Sequence, residues 1–140
     1  MSQYVKEIII RNLNTKGENM SVIHKFTGTQ NNYSWENVDI HKYNGKFERV
    51  TKQVFIGPEE GSNNFHLRYF RLEPGEHSNL ERHPHEHGVL ILHGRAVVQL
   101  GETFTEVEPN DTIFISGNDL HQFKTKGNEP LGFLCVIKGK

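Results

Sequence analysis

A small all-β domain of antiparallel strands is the fold class this sequence predicts, and three observations carry that prediction. Beyond residue 50, short runs rich in Val, Ile, Phe and Tyr recur at regular intervals. Gly, Pro, Asn and Asp punctuate them, at Gly57-Pro58, Pro74-Gly75, Gly88, Gly94, Gly101, Pro109-Asn110-Asp111 and Gly117-Asn118. No segment between them shows the apolar period of an amphipathic helix. Strands of about five to seven residues at this spacing build a sandwich or a barrel.

In chain order, the predicted strands are "TKQVFIG", "NFHLRYFRLE", "GVLILHG", "RAVVQLG", "TFTEVE", "TIFIS", a strand opened by His121, and "LGFLCVIKG". Apolar residues at consecutive positions in "VLILHG" predict burial of both faces of that strand. One face would line the interior and the other would meet a second subunit, so a homodimer is expected. Residues 1–50 read differently. "YVKEIII" has strand character, and "NNYSWENVDIHKYNGKFE" is a polar connection dotted with aromatic residues. This part is an N-terminal extension that wraps on the domain of residues 51–140, is lent to a neighbouring subunit, or is partly disordered.

Composition excludes several classes. At 140 residues and 16.2 kDa, the chain suits one domain with a real core. Nine Phe, four Tyr and one Trp supply bulky packing groups despite a mean hydropathy of -0.63. Sixteen basic against seventeen acidic residues, with no block of like charge, leave no electrostatic footprint for nucleic acid. Nothing resembles a membrane span or a secretory leader. The one cysteine, Cys135, cannot pair internally, so a reducing cytoplasm is expected. Its apolar setting "LGFLCVI" predicts a small buried hydrophobe rather than a catalytic thiol.

Chemistry concentrates in "LERHPHEHGVLILHG", residues 80–94. Four of the nine histidines fall here, at 83, 85, 87 and 93. Glu81 and His83 share a face of extended chain. Pro84 interrupts, and His87 opens the next strand. A strand–turn–strand of this form can bring Glu81, His83 and His87 around one point, and imidazole and carboxylate suit a first-row divalent metal. A helical reading of His83 and His87 fails on Pro84, Gly88 and the β-branched residues that follow. The alternative is an exposed polar turn. His121, downstream at the start of another strand, supplies a natural fourth ligand.

These residues resemble the two motifs of the cupin superfamily, small β-barrels that hold a metal inside. The first, G-x5-H-x-H-x3,4-E-x6-G, matches in spacing at Gly75, Glu81, His83, His87 and Gly94, with Glu81 and His87 exchanged for the motif's His and Glu. The second, G-x5-P-x-G-x2-H-x3-N, keeps His121, while Asn110, Ser116, Asn118 and Thr125 replace its other positions. The stretch "HPHEHGVLILHG" is similar to small single-domain cupins with a four-histidine manganese-type site.

The resemblance implies a barrel or jelly-roll fold and one divalent transition metal per chain (Mn, Fe, Ni or Zn) held by Glu81, His83, His87 and His121. His85 and His93 match no ligand position. It further implies a metal-dependent small-molecule enzyme, of oxygenase, isomerase, decarboxylase or lyase type. The alternative is a non-catalytic binding or sensing module. Arg68 is a candidate for an anionic group of the ligand if its strand turns that face inward, and Phe123 for the pocket wall.

Overall fold

A computed structural model describes residues 21–43 and 49–139. The strand reading of "YVKEIII" lies outside the described residues.

Among the described residues nine strands follow one another: β1 (His41–Lys42), β2 (Val50–Ile56), β3 (Phe65–Leu72), β4 (His87–His93), β5 (Arg95–Leu100), β6 (Thr103–Val107), β7 (Thr112–Ile115), β8 (His121–Lys126) and β9 (Leu131–Lys138). A 3-10 turn, Pro58–Glu60, follows β2. All pairings are antiparallel. A six-stranded sheet runs β1-β2-β3-β9-β4-β7 and a three-stranded sheet runs β6-β5-β8. The protein is all-β, as its punctuation predicts.

The core draws on both sheets: Leu72, Ile91, Leu131 and Phe133 from the larger, Ala96, Val98 and Phe123 from the smaller. Period-2 alternation sets this up, since successive side chains leave opposite faces of a strand. Along β9, Leu131, Phe133 and Cys135 are buried in the core while Val136 is exposed. Burying a side chain such as Leu72 or Ile91 contributes about 1.5–3 kcal/mol.

The outer face of β2 and β3 is covered by the chain's own residues 22–35. Phe26 bridges to Trp35, and Thr29 and Asn32 close a turn with reciprocal backbone hydrogen bonds of 3.0 and 3.1 Å. Asn31 sits at its tip with φ of 61°. Trp35 packs on Phe55 at 4.3 Å between ring centroids, and Tyr33 stacks on Tyr69 at 5.5 Å. The Gln53 amide donates to the Tyr33 carbonyl at 2.8 Å. Phe26, Tyr33 and Trp35 also meet edge-on among themselves, at 5.1 to 6.1 Å between ring centroids, so the segment forms a small aromatic cluster seated on the sheet.

A register shift between Ile91 and His93 carries His93 off the interior face of β4. Its imidazole is buried against Tyr69, whose hydroxyl is 2.6 Å from His93 Nε2, while His93 Nδ1 donates to the Pro130 carbonyl at 2.9 Å. Space for the ring exists only because residue 132 is glycine: a Cβ there would lie 1.9 Å from Nε2.

Candidate metal centre

Two chain segments carry the site, and backbone hydrogen bonds tie them together. Glu81 and His121 exchange them, 3.0 Å from the Glu81 N–H and 2.9 Å from the His121 N–H. The Asn118 N–H donates to the His83 carbonyl at 2.7 Å. The turn can do this because Asn118 adopts φ of 66°, and Asn110, at the start of the same motif, adopts 77°. Both stand where the cupin pattern has glycine. Asparagine is among the few other residues that visit the left-handed region readily, so the substitutions preserve the turns.

Within this frame His83, His87 and His121 converge: one ligand atom from each lies within 4.8 Å of the other two. The Nε2 atoms of His83 and His87 are 3.1 Å apart. Glu81 stands beside them, with Oε2 3.6 Å from His83 Nε2. Its Oε1 accepts from the Tyr43 hydroxyl at 3.0 Å and from the Asn79 amide at 3.4 Å. Thus the three histidines form the close cluster, and the carboxylate is adjacent to it.

Two of the three rings, those of His87 and His121, are turned by what their far nitrogens meet. His121 Nδ1 donates to the Asp119 carbonyl at 2.8 Å, leaving Nε2 with its lone pair. His87 Nδ1 is 3.1 Å from Cys135 Sγ. His83 Nδ1 is buried without a hydrogen-bond partner, and its ring stacks parallel to that of the exposed His85 at 3.9 Å. Burial, helped by the neighbouring imidazoles and the Arg68 guanidinium, pushes the pKa of His87 down to about 3. It is therefore neutral at pH 7, the form that binds metal. Burial also lowers His85, with His83 the next cause. Three imidazoles beside a carboxylate are a nitrogen-and-oxygen donor set of the type a first-row divalent ion takes. The residues fit such an ion.

The cluster opens on a cavity of about 310 Å³ between the sheets. Phe70, Val89, Ile115, Phe123 and Phe133 make its apolar walls. Phe123 stacks on Phe133 at 4.4 Å. Arg68 also faces the cavity: Nη2 donates to Cys135 Sγ at 3.1 Å, and the guanidinium carbon lies 4.9 Å from the Phe70 ring centroid.

Residues 68–137 match the family model Cupin_2, the Cupin domain. The chain belongs to the cupin family. A protein of Rhodospirillum rubrum named 1-methylthio-D-xylulose 5-phosphate methylsulfurylase is 40% identical over 119 residues, which is 82% of this chain and 75% of the relative. The crystal structure of a cupin-2 domain from Rhodospirillum rubrum superposes with a TM-score of 0.72 at 40% identity, covering 82% of this chain and 78% of that one. A cupin 2 conserved barrel protein from Rhodopseudomonas palustris gives 0.72 at 30% identity, covering 84% and 81%.

Against the sequence reading, this cupin clusters three of the four predicted ligand residues, His83, His87 and His121, with Glu81 beside them, and both Arg68 and Phe123 line the cavity. His93 lies apart from the cluster, paired with Tyr69. Three residues of the site had gone unread. Tyr43 reaches Glu81 from the extension, Lys52 lines the cavity from β2, and Cys135, though buried as expected, touches His87. Alternation from Val50, a core residue, would have pointed Lys52 inward. Nothing local in the sequence announces the Tyr43 contact. Among the described residues no helix is long and apolar enough to cross a membrane.

Proposed function

We propose that this cupin is a metal-dependent enzyme acting on a small, oxygen-rich anion. The observation that carries the reading is the convergence of His83, His87 and His121 on the wall of a 310 Å³ cavity. The ion would be one manganese, iron, nickel or zinc per chain, held by these three residues with Glu81 beside them. Such a metal supplies Lewis acidity to a bound carbonyl or enediol.

The chain's own groups do the rest. His121 is fixed by Asp119, and Glu81 by Tyr43 and Asn79, so the donors are oriented before anything binds. The Phe70, Phe123 and Phe133 rings exclude water from the reacting end. Arg68 offers a planar cation to an anionic group of the substrate. The name of the Rhodospirillum rubrum relative supplies a concrete class, a ketopentose phosphate bearing a thioether. We further propose that the enzyme works as a cytoplasmic homodimer, with Cys135 remaining a free thiol.

The test is turnover. Protein reconstituted with each metal is incubated with 1-methylthio-D-xylulose 5-phosphate and with D-xylulose 5-phosphate, and products are followed by NMR. The reading expects conversion that is lost in His121→Ala. Tight binding without conversion of any such substrate would replace it with the binding-module reading.

A further inference from the structure

The cavity holds a second charged group opposite in sign to Glu81. Lys52, on β2, and Arg68, on β3, both line it. In the sheet, Lys52 pairs with Phe70 and Arg68 with Val54, so the two cations are diagonal neighbours on one face. Such positions lie about 7–8 Å apart, within reach of long side chains. No carboxylate among the described residues pairs with either. Arg68 Nε is buried without a hydrogen-bond partner, and among the described residues the acceptor its guanidinium meets is the Cys135 sulfur.

Two unpaired cations side by side in a partly closed cavity are costly. Burial lowers the Lys52 pKa, and the Arg68 charge lowers it further. A purely structural sheet would place apolar side chains at both positions. An anion with several oxygens would relieve both the repulsion and the orphaned Nε, with the fork of Arg68 taking two oxygens and Lys52 a third.

The arrangement also connects to the histidines. Arg68 Nη2, Cys135 Sγ and His87 Nδ1 form a row with two steps of 3.1 Å. A molecule of a few carbons can therefore touch the cation pair at one end and the imidazole cluster at the other.

We infer that Lys52 and Arg68 form a phosphate-binding subsite, which makes the substrate a small phosphate monoester whose phosphoryl group is held away from the metal. This rests on the proposed function for the assignment of the other end, but the phosphate subsite stands on its own residues.

Calorimetric titration with inorganic phosphate, D-xylulose 5-phosphate and D-xylulose tests it, using metal-loaded and chelator-treated full-length protein. The sugar phosphate should bind more tightly than the sugar by about 10- to 100-fold. Lys52→Met and Arg68→Gln should each remove most of that difference, and Lys52→Arg should restore it. In phosphate-free buffer Lys52→Met should raise the melting temperature by roughly 2–4 °C, because it removes the repulsion. That rise also shows that the variant is folded. Phosphate binding that survives metal removal, and also survives His121→Ala, supports the subsite even if the protein holds no metal. Phosphate binding lost with the metal but unchanged in Lys52→Met would overturn the subsite and leave the metal reading intact. Equal affinity for sugar and sugar phosphate would overturn it as well.

Discussion

His87 and Cys135 meet at 3.1 Å between Nδ1 and Sγ, which couples the inward face of β9 to the histidine cluster. For His87 to offer Nε2 to a metal, its proton must sit on Nδ1, and the sulfur is the acceptor that holds it there. Cys135→Ala removes that acceptor. It should weaken metal affinity by about 10-fold or more while the β-sheet circular dichroism stays unchanged. Competition with a chromogenic chelator measures this. Wild-type affinity in the variant would show that the thiol plays no part in orienting His87.

Glu81 is separable from the histidines by substitution. Glu81→Gln keeps an acceptor for the Tyr43 hydroxyl but removes the charge. It should bind metal more weakly than wild type, whereas Glu81→His should retain binding. Identical metal affinity in all three proteins would place Glu81 outside the ligand set.

The buried Tyr69–His93 pair makes stability depend on pH. Burial holds the His93 pKa below its ordinary value against the opposing pull of its hydrogen bond to the Pro130 carbonyl, and the Arg71 charge adds to the lowering. The unfolded chain takes up the proton near pH 6.5 and the folded chain only lower. Stability is therefore complete above about pH 6.5 and falls as pH drops toward the lowered native value. In metal-free protein His87, at about 3, acts in the same direction. Urea midpoints between pH 7.5 and 5 should fall, and His93→Gln should shallow the slope. A slope unchanged in the variant would remove His93 from this account.

Gly132→Ala places a methyl group 1.9 Å from His93 Nε2. The ring must leave Tyr69, at a cost of about 1–3 kcal/mol read from the urea midpoint. Metal stoichiometry should not change, because His93 lies apart from the cluster. A loss of metal here would mean that β4 transmits the distortion to His87.

The outer face of β4, β7 and β9 carries an apolar strip. Phe114 is 63% exposed and Val136 38% exposed, and both pair with Gly88. A homodimer would bury it. Light scattering should give about twice the 16.2 kDa chain mass, reduced to a monomer by Phe114→Lys. A monomeric wild-type protein would contradict the dimer.

The strands were legible because their burial is local: alternation and Gly, Pro and Asn punctuation mark β2 to β9 without knowledge of their partners. The histidine spacing was legible for the same reason, since His83 and His87 flank one turn. What escaped depends on distant contacts. A register shift moves His93 off the interior face, and only Gly132, across the sheet, makes room for it. Tyr33 and Trp35 show no pattern because the surface they bury against, Phe55 and Tyr69, lies in later strands. Arg68 could not be oriented until pairing with β9 fixed its face.

The central claim is that His83, His87 and His121 hold a metal. Elemental analysis of tag-free protein, purified without chelator, tests it most directly beside His121→Ala. The account predicts about one manganese, iron, nickel or zinc per chain in the wild type and none in the variant. No metal in the wild type after reconstitution, or equal metal in both proteins, would contradict it.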